Sequence, residues 1–186
     1  MTAASRFIRR QHAGAVAIEL AGLMVLFCMM VFGILEVARM LFLWNTMSAV
    51  TRRGAAAVAA AAPGADHSAA LNQAALGGVP LTSPTVDGSY LQVTYLNAAR
   101  EPVATPPVCP SDNVVTCMTN PGDASCVRYV RVRLCQPGGG DTCDPVPVTP
   151  LAGVTSLLFG NTTLYFPTFQ TVTPVGALGY QPGGCP

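Results

Sequence analysis

Glu19 is the residue most in need of a chemical partner. It is the only charge in the apolar run of residues 15–35, AVAIELAGLMVLFCMMVFGIL. A carboxylate in a bilayer costs roughly 2.5–3.5 kcal/mol on insertion scales, so its presence in such a run marks a function. A cut between Gly14 and Ala15 would supply the partner. Ala15 would then carry an α-ammonium group, and Glu19 would follow it at i, i+4 on the same helix face. The carboxylate could neutralise its own amine or that of a neighbouring copy, and in lipid such a pair is worth far more than in water. Farther along, Glu36 and Arg39 stand at i, i+3. They pair in register with each other or with a partner chain, or else form a local surface ion pair worth under about 1 kcal/mol.

Cysteine is the second chemical resource. Of seven cysteines, Cys28 lies in the apolar run, and Cys109, Cys117, Cys126, Cys135, Cys143 and Cys185 lie in the C-terminal half. Their successive spacings of 8, 9, 9, 8 and 42 residues are too wide for a zinc knuckle. Six cysteines in a Pro/Gly-rich region point instead to disulfides and an oxidising compartment. The regular spacing suggests the sequential set Cys109–Cys117, Cys126–Cys135 and Cys143–Cys185. The two histidines, His12 and His67, complete no Ser/His/Asp or Cys/His constellation, and His67 is expected to be solvated in a polar turn. Gly138, Gly139 and Gly140 lack the following Lys-Ser/Thr of a phosphate loop. Arg128, Arg131 and Arg133 read as a solvated strand face, not a nucleic-acid surface. No metal, no cofactor, no small-molecule substrate and no enzymatic activity are expected.

The elements that must carry these groups follow from composition and period. Hydrophobic residues make up 51% of the 186 and charged ones 10%, against roughly 25% charged in soluble domains. A membrane segment plus one modest domain accounts for the excess. Residues 15–35 span roughly 31 Å as a helix, about one bilayer core. An ordinary cleaved signal peptide does not fit, because its apolar core is shorter and uncharged. A lipoprotein site at Cys28 fails because Phe27 stands where a small residue is needed. Helical character continues through Trp44, an interfacial aromatic, and the Ala-rich GAAAVAAAA. Met47, Val50, Gly54, Val58 and Ala61 form a narrow apolar stripe, and Pro63-Gly64 is the stop. One helix over residues 15–62 is predicted, its second half packed on a domain.

Residues 63–186 read as α+β with an antiparallel sheet. A short helix is expected over residues 66–76, ending at Gly77-Gly78. Strands are expected over residues 90–96, over residues 127–134, and within residues 157–173, where Pro167 marks an edge or bend. In the second strand Val130, Val132 and Leu134 face one side, and Tyr129, Arg131 and Arg133 the other. Pro- and Cys-rich loops join these elements. Beyond Gly54 there are four arginines against seven acids, a net −3. Arg6, Arg9 and Arg10 precede the span and favour a cytoplasmic N-terminus, while Arg39, Arg52 and Arg53 pull the other way. The cysteines decide in favour of a C-terminal domain outside the cytoplasm.

The run RRQHAGAVAIEL resembles the prepilin peptidase site of type IV pilins: a basic leader ending in Gly, apolar residues, and Glu at the fifth mature position. The segment VFGILEVARMLFLWNTMSAVTRRGAAAVA resembles the TadE-like family, pseudopilins of the tight-adherence (Flp) pilus system. Phe32, Gly33, Ile34, Glu36, Arg39, Arg53 and Gly54 occupy that family's pattern, and the likeness covers about residues 9–62. Leu20 departs from it, standing where Flp-type sites more often carry Tyr or Phe. The resemblance implies a leader, residues 1–14, removed by prepilin peptidase. It implies a transmembrane, pilin-like helix at residues 15–62 and a disulfide-stapled periplasmic domain at residues 63–186. The protein would be a minor pilin of the bacterial inner membrane, with the lipid bilayer, other pilin or pseudopilin subunits and the pilus assembly machinery as partners. The alternative is a single-pass anchored periplasmic binding or adhesion module that never enters a pilus. Gly14 and Glu19 discriminate the two, since a plain anchor needs no buried carboxylate.

Overall fold

A computed structural model describes residues 3–76, 85–138, 142–149, 160, 164–176 and 178–180, with side chains from Gly14 onward. The chain divides into two units, Met1–Leu41 with Pro150–Thr162, and Phe42–Thr149 with Thr163–Pro186.

Apart from Gly160, the described part of the first unit is the opening stretch of a helix, α1 (Ala3–Ala59). It starts well before the expected residue 15. The leader AASRFIRRQHA contains no proline, and its alanines, arginines and glutamine are good helix formers, so nothing stops the helix from propagating backwards. Residues 14–59 are long and apolar enough to cross a membrane, and none of the most apolar window is buried within the chain. Side chains on every face of this stretch are exposed, among them Ile18, Leu23, Phe27, Met30 and Leu35. A helix that is apolar all round reads as one made for apolar surroundings.

In the second unit, residues 42–59 of α1 behave differently. Leu43, Met47, Val50, Ala55 and Val58 are fully buried, with Thr51 beside them. With Gly54, also buried, Leu43, Met47, Val50 and Val58 recur at steps of three and four, the spacing of one helix face. The helix ends at Ala59, three residues before the expected end. Its last turn tightens, with Ala61 N–H donating to Val58 O at 3.1 Å. Pro63 excludes the α conformation from the residue before it and so ends the helix early. Gly179, at φ +69°, lies against this end, and a Cβ there would lie 2.9 Å from Ala60 O and 3.1 Å from Ala62 N.

The stripe packs on a three-stranded antiparallel sheet of β1 (Leu91–Leu96), β2 (Tyr129–Leu134) and β5 (Gln170–Pro174), in the order β1-β2-β5. Register pairs Leu91 with Leu134, Val93 with Val132 and Tyr95 with Val130, while Val132 and Val130 face Thr171 and Thr173. Period-two alternation sends this set to one face, and Val130, Val132 and Leu134 are buried as expected. A Cβ at Gly54 would touch Leu71, Leu91 and Val132, each at 3.5 Å. Thr171 Oγ1 meets Thr51 Oγ1 at 3.1 Å, and Trp44 stands edge-on to Phe169 at 5.6 Å.

The expected short helix is α2 (Ser68–Ala74); Gly77-Gly78 lie outside the described residues. A two-residue ladder joins β3 (Pro147–Val148) to β4 (Leu164–Tyr165). Strand character in the C-terminal stretch is interrupted between Tyr165 and Gln170, around Pro167, which cannot donate to a ladder.

Two expectations fail. The Pro/Cys-rich loop before β2 contains a helix, α3 (Pro110–Thr119), with Pro at its start and Asp112 in its first turn. Both are N-terminal helix signals. The sequential disulfide set is also wrong, since Cys117 bonds Cys126 and Cys135 bonds Cys143, with Cα separations of 5.0 and 4.9 Å. The secondary structure explains why. Cys109 is the N-cap of α3 and Cys117 lies within it, so eight residues of helix hold them about 12 Å apart. That exceeds the roughly 7 Å that a disulfide spans. Cys126 and Cys135 flank the extended strand β2, which separates them by about 20 Å. Cys109 is disulfide-bonded as well; Cys185 lies outside the described residues.

Candidate functional site

The membrane-helix residues fall on one continuous element. Gly14 and Ala15 sit inside α1, with no break in the helix between them, and Gly14, Ala15 and Glu19 are all exposed. Helical spacing stacks Glu19 one turn beyond Ala15 on the same face. Among the described residues nothing lies within 4 Å of the position a Cβ would take at Gly14.

Glu36 and Arg39 meet directly. Arg39 Nη1 donates to Glu36 Oε1 at 2.8 Å, and the two side chains are only 13% and 11% exposed. A pair this sheltered is not a fully solvated surface bridge.

Two features of the second unit differ from the sequence reading. His67 is not a solvated turn residue. It is half-buried, and its Nε2 lies 2.8 Å from the Tyr95 hydroxyl in a hydrogen bond. Burial lowers the His67 pKa, partly opposed by the Asp66 carboxylate, and burial pushes Tyr95 up to about 12. Nor are Arg131 and Arg133 a solvated face, since both are half-buried; Arg128, outside the strand, is exposed.

Sequence reasoning also missed Asn113. This buried side chain accepts from Val127 N–H at 2.8 Å and donates to Val127 O at 3.1 Å, standing in for a neighbouring strand's peptide just where β2 begins. An isolated Asn in a Pro/Cys-rich stretch gave no sign of this. The Cys117–Cys126 bridge closes the same α3–β2 junction. Among the described residues no group of three His, Cys, Asp or Glu side chains could hold a metal ion. Of the Gly triplet only Gly138, at φ +91°, is described; Gly139 and Gly140 lie outside the described residues.

No curated protein and no solved structure matches the chain. The helix bearing Gly14, Glu19, Glu36, Arg39 and Gly54 does have a counterpart: residues 14–56 match the family described as TadE-like protein, the family that the sequence resembles.

Proposed function

We propose that this chain is a minor pilin of a tight-adherence (Flp-type) pilus system, structural in role, held in the bacterial inner membrane as a precursor. The N-terminus faces the cytoplasm and the Cys-rich unit faces the periplasm. Prepilin peptidase removes residues 1–14. The new Ala15 ammonium then meets the Glu19 carboxylate of its own or a neighbouring subunit. The exposed apolar stretch of α1 trades lipid contacts for contacts with other pilin or pseudopilin helices as the subunit is assembled. Glu36 and Arg39 keep that helix neutral where it leaves the bilayer.

One observation carries this reading. The family match begins at Gly14, the residue after which the peptidase would cut, and it takes in the most apolar window of α1, none of which is buried among the described residues. The test is the N-terminal mass of the membrane-extracted protein with and without active prepilin peptidase. A chain starting at Ala15 only when the peptidase is present is the expected result. A Met1 start in both cases overturns it in favour of a plain anchor.

A further inference from the structure

The sheet face opposite α1 carries Gln92 and Thr94 of β1, paired in register with Arg133 and Arg131 of β2. It is not a flat face. Residues 102–106 run alongside β1, tied to it by Val103 N–H donating to Tyr95 O at 2.9 Å and by a bridge between Leu96 and Pro102. Strands and segment together line a groove of about 640 Å³, a size at which ligand sites commonly occur.

The floor of this groove is cationic, and among the described residues no carboxylate lines it. Arg133 is oriented by donating from Nη2 to Gln92 Oε1 at 2.8 Å. Arg131 is less provided for. Its Nε is buried and makes no hydrogen bond among the described residues. Burial, and after it the charge of Arg133, lower its pKa below the usual arginine value. Two guanidinium groups set side by side and partly stripped of water repel each other, and a bound anion relieves that cost. Glu101, next to the groove wall, is already engaged, its backbone and carboxylate both bonded to the Asn97 side chain at 3.0 and 3.4 Å. The wall formed by Pro102, Val103, Ala104 and Pro106 is apolar. A bare inorganic anion cannot use it, whereas the backbone and β-carbons of an extended peptide can.

We propose that this groove binds an acidic peptide segment of a partner chain. One of its carboxylates would take the fork of Arg131 beside Arg133, and its flanking residues would lie along residues 102–106. A guanidinium offers a carboxylate two parallel charge-assisted hydrogen bonds, which gives the site geometric selectivity. This inference does not depend on the chain entering a pilus.

The test uses the full chain in detergent micelles. A fluorescein-labelled peptide with Asp at alternate positions, and its Asn counterpart, are titrated by anisotropy at low salt. The Asp peptide is expected to bind about tenfold or more tightly than the Asn peptide, a difference of about 1.4 kcal/mol. Arg131→Gln is expected to remove most of that preference. Ala104→Trp, which fills the groove from an exposed position without changing charge, is expected to weaken binding to a similar degree. Arg100→Gln, whose guanidinium lies over Tyr129, is expected to leave binding unchanged. Cooperative thermal unfolding followed by circular dichroism confirms that each variant is folded. The proposal is overturned if the Asp peptide does not bind at millimolar concentration, or if Arg131→Gln and Ala104→Trp both bind like the parent. Inorganic phosphate displacing the peptide as effectively as unlabelled peptide would also overturn it, by reducing the groove to a simple anion site.

Discussion

The two parts of α1 are made of similar residues and handle them in opposite ways. Over residues 14–41 the apolar side chains point in all directions and none of the most apolar window is buried. Over residues 42–59 they narrow to a stripe, with Leu43, Met47, Val50 and Val58 sealed against a sheet and Arg52 and Arg53 left outside. The same helix thus presents two kinds of surface. Among the described residues the first stretch finds no apolar surroundings for its most apolar window. The second finds them in its own sheet, so its stability is written into this molecule.

The harshest way to break this contrast is Val132→Asp. Val132 is fully buried under the stripe, and an unpaired carboxylate there costs several kcal/mol. The sheet unit is expected to lose its cooperative transition while the chain still extracts with the membrane fraction. Protease digestion of membranes would show this as a surviving helical fragment.

A sharper comparison uses one residue type twice. Met47 is fully buried and Met30 is 66% exposed. Met47→Ala is expected to destabilise the sheet unit by about 2–4 kcal/mol, and Met30→Ala by less than about 0.5 kcal/mol. Chemical denaturation followed by Trp44, the only tryptophan, checks both. Equal effects would mean that the first stretch is packed within the chain after all.

Removing the Cys135–Cys143 bridge with a double Ser variant should cost about 2.5 kcal/mol, from the entropy of a loop closed over 8 residues. The readout is the midpoint of thermal unfolding, and reductant should bring the parent below the variant, because it opens Cys117–Cys126 as well.

Gly54 supplies a smaller change of opposite sign. A Cβ there sits in ordinary contact with Leu71, Leu91 and Val132, so Gly54→Ala should stabilise by about 0.5–1 kcal/mol through helix propensity. Gly54→Val should instead cost about 1–3 kcal/mol by overpacking.

The smallest expected effect is a pH dependence. The His67 pKa is lowered in the folded chain, first by burial. The unfolded chain therefore takes up a proton near pH 6.5 that the folded chain resists. Stability should fall as pH drops from about 6.5 through the folded value, and His67→Gln should flatten that slope.

How much of this was legible in the sequence depended on how local the cause was. The apolar run, the stripe through Met47, Val50, Gly54 and Val58, and the alternation of β2 are one-dimensional patterns, and the structure shows each of them. The end of α1 was displaced because Pro63 acts backwards on the preceding turn. The helix α3 was hidden because cysteines and a proline suggested a loop, although Pro110 and Asp112 were usable start signals. The disulfide pairing was illegible until α3 and β2 were known, since regular spacing along the chain says nothing about separation in space. On α1 the pairing of Glu36 with Arg39 was visible because charges beside an apolar run are conspicuous. His67 with Tyr95, and Asn113 with Val127, were not, because each partner comes from a distant part of the chain.

The early position of α3 has a consequence for biogenesis. If the C-terminal unit is exported in chain order, Cys109 and Cys117 are the first two thiols of that unit to reach an oxidising environment, and an oxidase joining thiols in order of arrival would link them. A formed α3 forbids that union by holding them about 12 Å apart, and keeps Cys117 available until Cys126 emerges. On that route the helix would act as a timing device in maturation, and a chain in which it formed late would depend on a disulfide isomerase to correct its first bond.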